Sequence, residues 1–203
     1  EETQIKDSIF ARGITYQSDI INSIIQDSNF SGITFNQSWI ADSKIYNSKF
    51  EGSIWGATRM QDSTIENSDF SRSFLKDNEF YRTEFISTKF EKSTFKETLS
   101  KDIKYEDVDF NLVDFLGSEF HNSVFSNVDF YDADFAIKAT ASNTYIPGTI
   151  FKNSSFMDVN FDDVNFNEAE LEEFSESQIE LIRVHNPKFI ESDFHNVDFS
   201  GLD

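Results

Sequence analysis

The chain has 203 residues, 38% of them apolar and 24 of them Phe, enough for a sizeable core in one or two domains. A formal net charge of −20, with pI near 4.3, opposes direct binding to nucleic-acid phosphates or to an anionic membrane surface, and it favours a protein partner with a basic surface. The absence of cysteine excludes disulfides, thiol nucleophiles and thiolate zinc sites. No apolar run approaches the roughly 18 residues of a membrane span, so no membrane insertion is expected, and no basic-then-apolar leader opens the chain. Residue 1 is Glu rather than Met. The expectation is a trimmed, processed or excised piece.

From Ile5 to Phe135 every fifth residue is apolar except Thr15 and Ser100. A helix returns to one face about every 3.6 residues and a strand every 2, so a sustained period of five belongs to neither. Two residues before each of these centres stands a small or β-branched residue, such as Ser23, Ser28, Ser43, Ser48, Ser63, Val108, Val113 and Ala133. The repeating unit is small, polar, apolar, polar, polar.

A longer period specifies the architecture. Phe10, Phe30, Phe50, Phe70, Phe90, Phe110 and Phe130 form an unbroken column at intervals of twenty, and Ile5, Ile25, Ile45 and Ile65 begin another that continues as Phe85, Tyr105 and Phe125. Like stands above like if four five-residue sides make one turn of a square coil. Successive turns would then stack as parallel ladders about 4.8 Å apart. The central residue and the residue two before it point inward and the others outward. Each buried central side chain then contributes about 1.5 to 3 kcal/mol.

These units resemble those of the pentapeptide-repeat proteins, whose usual motif is Ala, Asp or Asn, Leu and two variable residues. Ala133-Asp134-Phe135, Val128-Asp129-Phe130 and Val159-Asn160-Phe161 match it best. The likeness covers most of residues 3 to 171 and resumes at 187 to 199, with Ser preferred at the small site and Phe or Ile at the centre. It implies an all-β fold, a right-handed quadrilateral parallel β-helix, and a single domain over residues 1–203.

The register slips by one across 136–149, which holds Pro147-Gly148, and the centres then fall at Phe151, Phe156, Phe161, Phe166 and Leu171. A surface loop leaving the coil is expected there, with Tyr145 among its contact residues. A second break spans 172–186. Ser175 or Ser177 could cap a short helix that ends before Pro187, and a mid-chain excursion is the alternative, since Phe189, Phe194 and Phe199 follow. Repeats begin by Thr3 to Ile5 and run almost to Asp203. The expectation is that flanking sequence, a homodimer contact or end-to-end association covers at least one end.

Catalysis finds little support. His121, His185 and His195 are far apart with no metal-ligand spacing, Ser recurs as a packing residue, and no glycine-rich phosphate loop is present. Neither a cofactor nor a metal site is expected. Residues 1–100 hold 15 acidic and 11 basic residues and residues 101–203 hold 22 and 6, so the net charge moves from −4 to −16. The twenty-residue period places Asp109 under Asp129 and Asp114 under Asp134, a face for docking a basic partner or a solubilising surface. Ile14, Trp39, Ile54 and Phe74 flank inward positions and form a candidate apolar interface, or the seat of a preceding segment.

Two functions follow. The quinolone-resistance members of the family that this chain resembles bind DNA gyrase in place of DNA, which implies a DNA mimic: an acidic rod, about 48 Å long for ten coils at 4.8 Å each, acting in a bacterial cytoplasm. The alternative is a structural or displayed repeat domain within a larger secreted, effector or surface protein.

Overall fold

A computed structural model describes residues 3–130 and 133, together with the backbone of 140–145, 150–152, 160–165, 170–172 and 188–190. Through residue 130 short strands of three or four residues recur, and each pairs in parallel with the strand twenty residues away. On the first side Ile5, Ile25, Ile45, Ile65, Phe85, Tyr105 and Phe125 are successive register partners. The second side is a column of single parallel bridges running from Ile9 through Asn29, Lys49, Asp69, Lys89 and Asp109 to Asp129. The third stacks Thr15, Phe35, Trp55, Leu75 and Phe95, and the fourth Ile20, Ile40, Met60, Phe80, Ser100 and Phe120. The result is a four-sided parallel solenoid whose coils contain twenty residues, as the sequence period requires.

The five-residue side sets the corner geometry. Every residue two after a centre, from Asp7 to Asn127, has a positive φ between 45° and 67°, and only Gly32, Gly52 and Gly117 among them are glycine. Asn and Asp fill many of the others because their short polar side chains tolerate the left-handed region. On the second side the corner closes as a tight turn in which the N–H of Gly13, Ile33, Ser53, Ser73, Ser93 or Val113 donates to the carbonyl of the Phe three residues before it. A positive φ at the third position of such a turn is the type II geometry, so Gly32 and Gly52 relieve strain there.

The core is one axial column of side chains. Phe10, Phe30, Phe50, Phe70, Phe90, Phe110 and Phe130 stack with ring centroids 4.9, 5.0, 4.6, 5.2, 5.2 and 5.3 Å apart, the spacing of the parallel ladder itself. Most of the small inward positions are polar, and their side chains are satisfied. The N–H of Ser28 donates to Ser48 Oγ at 3.2 Å, and Ser48 Oγ in turn donates to the Tyr46 carbonyl at 3.0 Å. Asn78 fits the same position by donating to the Trp55 carbonyl at 2.9 Å and accepting from Thr58 N–H at 2.8 Å. A hydroxyl or amide there closes the backbone hydrogen bonding of a corner from which water is excluded.

Ser100 breaks the apolar period for a specific reason. Its Oγ lies 2.9 Å from the Tyr105 hydroxyl, and both residues are fully buried. Tyr105 stands in a column otherwise filled by Ile and Phe, and its phenol needs a partner inside the coil. Burial pushes the Tyr105 hydroxyl well above its ordinary pKa, with the Ser100 bond opposing, so it remains a neutral donor.

The slip after residue 130 takes a definite form. Thr140–Tyr145, which lies inside the loop expected over 136–149, is a strand: Glu119, Phe120 and His121 pair with Thr140, Ala141 and Ser142, and Val124 pairs with Tyr145. The offset is 21 residues rather than 20, the one-residue insertion that the sequence pattern shows. The ladder then resumes its period, with Ala141 paired to Phe161 and Phe151 to Leu171. The register slip and Pro147-Gly148 are the ground for expecting a loop over 136–149, and within it Ala141 holds a centre's register without an apolar side chain to mark it. The remainder of 136–149 and the helix considered over 173–186 lie outside the described residues. Phe161 pairs with Phe189, an offset of 28, so the ladder is rejoined after the second break.

Candidate interaction surface

The outward residues form axial columns, so each candidate can be judged by what stands above and below it. Asp109 lies in register with Asp129, as the period requires. Its carboxylate accepts from the Asn111 N–H at 2.9 Å, closing an Asx turn. Partial burial raises the Asp109 carboxyl above its ordinary range; the Asn111 bond opposes this, and the negative charges of Asp129 and Glu91 reinforce it. Asp114 also closes an Asx turn, to the Leu116 N–H at 2.9 Å, and stands above Thr94. Asp134 lies outside the described residues. Tyr145 is placed in a strand beside Val124 and Asn165.

The rank of carboxylates is shorter than the period alone suggests. Down the same column from Asp109 come Lys89, Asp69 and Lys49, so the signs alternate until residue 109. Elsewhere on the first hundred residues charges pair along the axis. Arg82 reaches Asp62 in the coil below with bonds of 2.6 and 2.8 Å, holding that carboxyl down at about 2, and Arg59 approaches Glu79 to 3.4 Å while lying 4.8 Å from the Tyr81 ring centre. Such exposed pairs add little stability. They do neutralise the surface.

The apolar candidates separate into two sets. Ile14, Ile54 and Phe74 belong to one outward column of the third side, with Thr34 between the first two, and are 82%, 46% and 41% exposed. Trp39, 39% exposed, stands around the corner on the fourth side between Asp19 and Arg59. It does not extend that column. Tyr16, one position beyond the Thr15 centre, is 57% exposed on the same side as Ile14. Reading single positions misses it; reading the whole side at intervals of twenty finds it.

Among the described residues no group of three His, Asp or Glu is placed to hold a metal. His121 lies on an exposed strand with Nε2 3.1 Å from Glu119. A shallow groove runs along one corner, with walls that include Arg82, Glu84, Asp102, Lys104 and Val124. Nothing in it resembles a nucleophile with its base.

The architecture is that of known pentapeptide-repeat proteins. The chain is similar in structure to a trypsin-treated form of QnrB1, a plasmid-mediated fluoroquinolone resistance protein, with 12% sequence identity, 96% of this chain and 90% of that chain covered, and a TM-score of 0.50. It is also similar to HetL, a pentapeptide-repeat protein involved in heterocyst differentiation regulation in the cyanobacterium Nostoc, at 9% identity, 98% and 85% coverage and a TM-score of 0.49. No protein-family profile matches the sequence and no curated relative is found. The chain has the fold of a pentapeptide-repeat β-solenoid. Its repeats are the five-residue sides described above, and at such identities the likeness concerns the fold.

Proposed function

We propose that this chain is a non-catalytic protein-interaction module whose acidic half takes the place of duplex DNA on a partner with a basic, DNA-binding surface. One observation carries the reading: sign alternation gives way to like charge where Asp109 stacks on Asp129, at the start of the half that holds −16 of the charge. Were the whole of that half coiled at twenty residues per 4.8 Å, its charge would spread over roughly 25 Å, near one net charge per 1.5 Å of axis. Duplex DNA carries about one per 1.7 Å. The first hundred residues, at −4 over a similar length, carry about one per 6 Å. On that reading only the second half approaches the field of a duplex.

DNA gyrase is the specific partner tested first, because QnrB1 is a fluoroquinolone resistance protein. Supercoiling by purified gyrase is measured with and without the chain, in the presence and absence of a fluoroquinolone. Altered supercoiling, or protection from the drug, is the expected result. No effect in either arm removes gyrase. The wider reading is tested by capture of DNA-binding proteins, with duplex DNA as competitor and rising salt, and it fails if DNA does not displace the captured protein.

A further inference from the structure

The third side carries an unusual absence of charge. From Ile14 to Ala57 none of its outward residues is charged, although 27% of the chain is, and the other three sides each carry at least three charges over the same coils. The first charge on this side is Lys76. Ile14, Thr34, Ile54 and Phe74 form a ridge along it, and Gly56 and Ala57 leave low ground beside that ridge.

We propose that this face is the self-association surface of a homodimer in which two solenoids lie side by side and antiparallel. Charge selects the occupant. Two chains of net charge −20 repel, and they can approach most closely where neither carries charge; the face lies in the half that holds only −4, and an antiparallel arrangement points the two acidic halves away from each other. Area agrees. With Ile14, Tyr16, Ile54 and Phe74 exposed by 82%, 57%, 46% and 41%, these four side chains offer roughly 500 Å². Their polar neighbours bring the face toward the roughly 800 Å² that each partner contributes to a standard interface. A two-fold axis across the middle of the ridge sets Ile14 of one copy opposite Phe74 of the other and Thr34 opposite Ile54. It also brings Lys76, the one cation at the edge, over the ring of Tyr16. The two sheets then pack face to face about 10 Å apart.

The mass of the full chain is measured by light scattering after size exclusion and by sedimentation over a range of concentrations. The expected mass is twice 23.5 kDa. Ile54→Lys should weaken association at least tenfold, whereas Lys49→Glu on the second side should leave it unchanged; circular dichroism checks that both variants fold. Because the chain has no cysteine, a second measurement is independent of that substitution. Facing Cα atoms on sheets about 10 Å apart lie beyond disulfide reach, so Thr34→Cys and Ile54→Cys chains, mixed and treated with a short bifunctional thiol cross-linker, should form the mixed dimer faster than either forms with itself. A monomer at all concentrations, a dimer indifferent to Ile54→Lys, or cross-linking no faster in the mixture than in either variant alone would overturn the proposal.

Discussion

Ser100 and Tyr105 allow the packing logic to be tested at one hydrogen bond. Both side chains are fully buried, and their hydroxyls lie 2.9 Å apart among buried centres that are otherwise Phe, Ile, Leu, Met and Trp. Ser100→Ala strands the phenol in an apolar interior from which water is excluded, at a cost of about 1 to 3 kcal/mol. Tyr105→Phe removes one oxygen from the same contact and strands Ser100 Oγ, at a similar or slightly smaller cost. The double variant leaves no polar atom unpaired. It loses the bond and a small volume, so its cost should be about 1 kcal/mol, well below the sum of the singles. The coupling energy, the sum of the singles less the double, is therefore about 1 to 5 kcal/mol. Urea unfolding of the four proteins measures it, provided the slopes agree, because a solenoid can unfold in parts and the comparison requires one cooperative transition. In heating experiments each single variant should melt roughly 3 to 8 °C earlier, with most of the loss recovered in the double. Additivity to within about 0.5 kcal/mol would refute the account, and Ser100 would then be a tolerated flaw in the period rather than the partner that Tyr105 requires.

Leu112 occupies the third position of a tight turn at φ 58°, where Gly32 and Gly52 serve two coils of the same column, so Leu112→Gly should stabilise by about 0.5 to 1 kcal/mol in thermal unfolding. Phe70→Ala removes a ring stacked at 4.6 and 5.2 Å between Phe50 and Phe90 and should cost about 3 to 5 kcal/mol in the same assay. Asp62 has its folded pKa lowered to about 2 from 3.8 by Arg82, so its contribution is complete above pH 4 and lost as pH falls toward 2; Arg82→Gln should flatten stability against pH over that window. Asp109 has the opposite sign. Its folded pKa is raised, so its ionised form destabilises above that pKa and the penalty is relieved on acidification; Asp109→Asn, which keeps the acceptor for Asn111, should stabilise by about 0.5 kcal/mol at pH 7, with the gain vanishing in acid.

The inward half of this molecule was legible because a solenoid repeats one environment. Phe30, Phe50 and Phe70 face the same neighbours one coil apart, and their common identity recorded the twenty-residue coil before any coordinates. The signal is silent where a centre is small: Ala141 takes the register of Phe120 and Phe161 without the apolar mark, so the period alone does not show its strand. It failed differently at Ser100, whose reason is a hydroxyl five residues away that no periodicity encodes.

Outward residues follow another rule. Their side chains meet solvent and the coils above and below, so one position says little and a column says much. Asp109 alone is one more acid; over Lys89 and under Asp129 it marks the point at which the second side stops alternating in sign. Ile14, Ile54 and Phe74 looked like four scattered apolar residues with Trp39, and the ladder separates that tryptophan from a ridge that Tyr16 joins. A partner of either kind reads the solenoid along its axis, since that is the direction in which charge or apolar surface accumulates at about 4.8 Å per step. Neutralised sides in the first half and accumulated charge in the second therefore let one rod carry two surfaces of opposite preference. Under the two proposals made above, a like-charged copy would dock on the uncharged face and a basic partner on the acidic half, so occupation of one would not block the other.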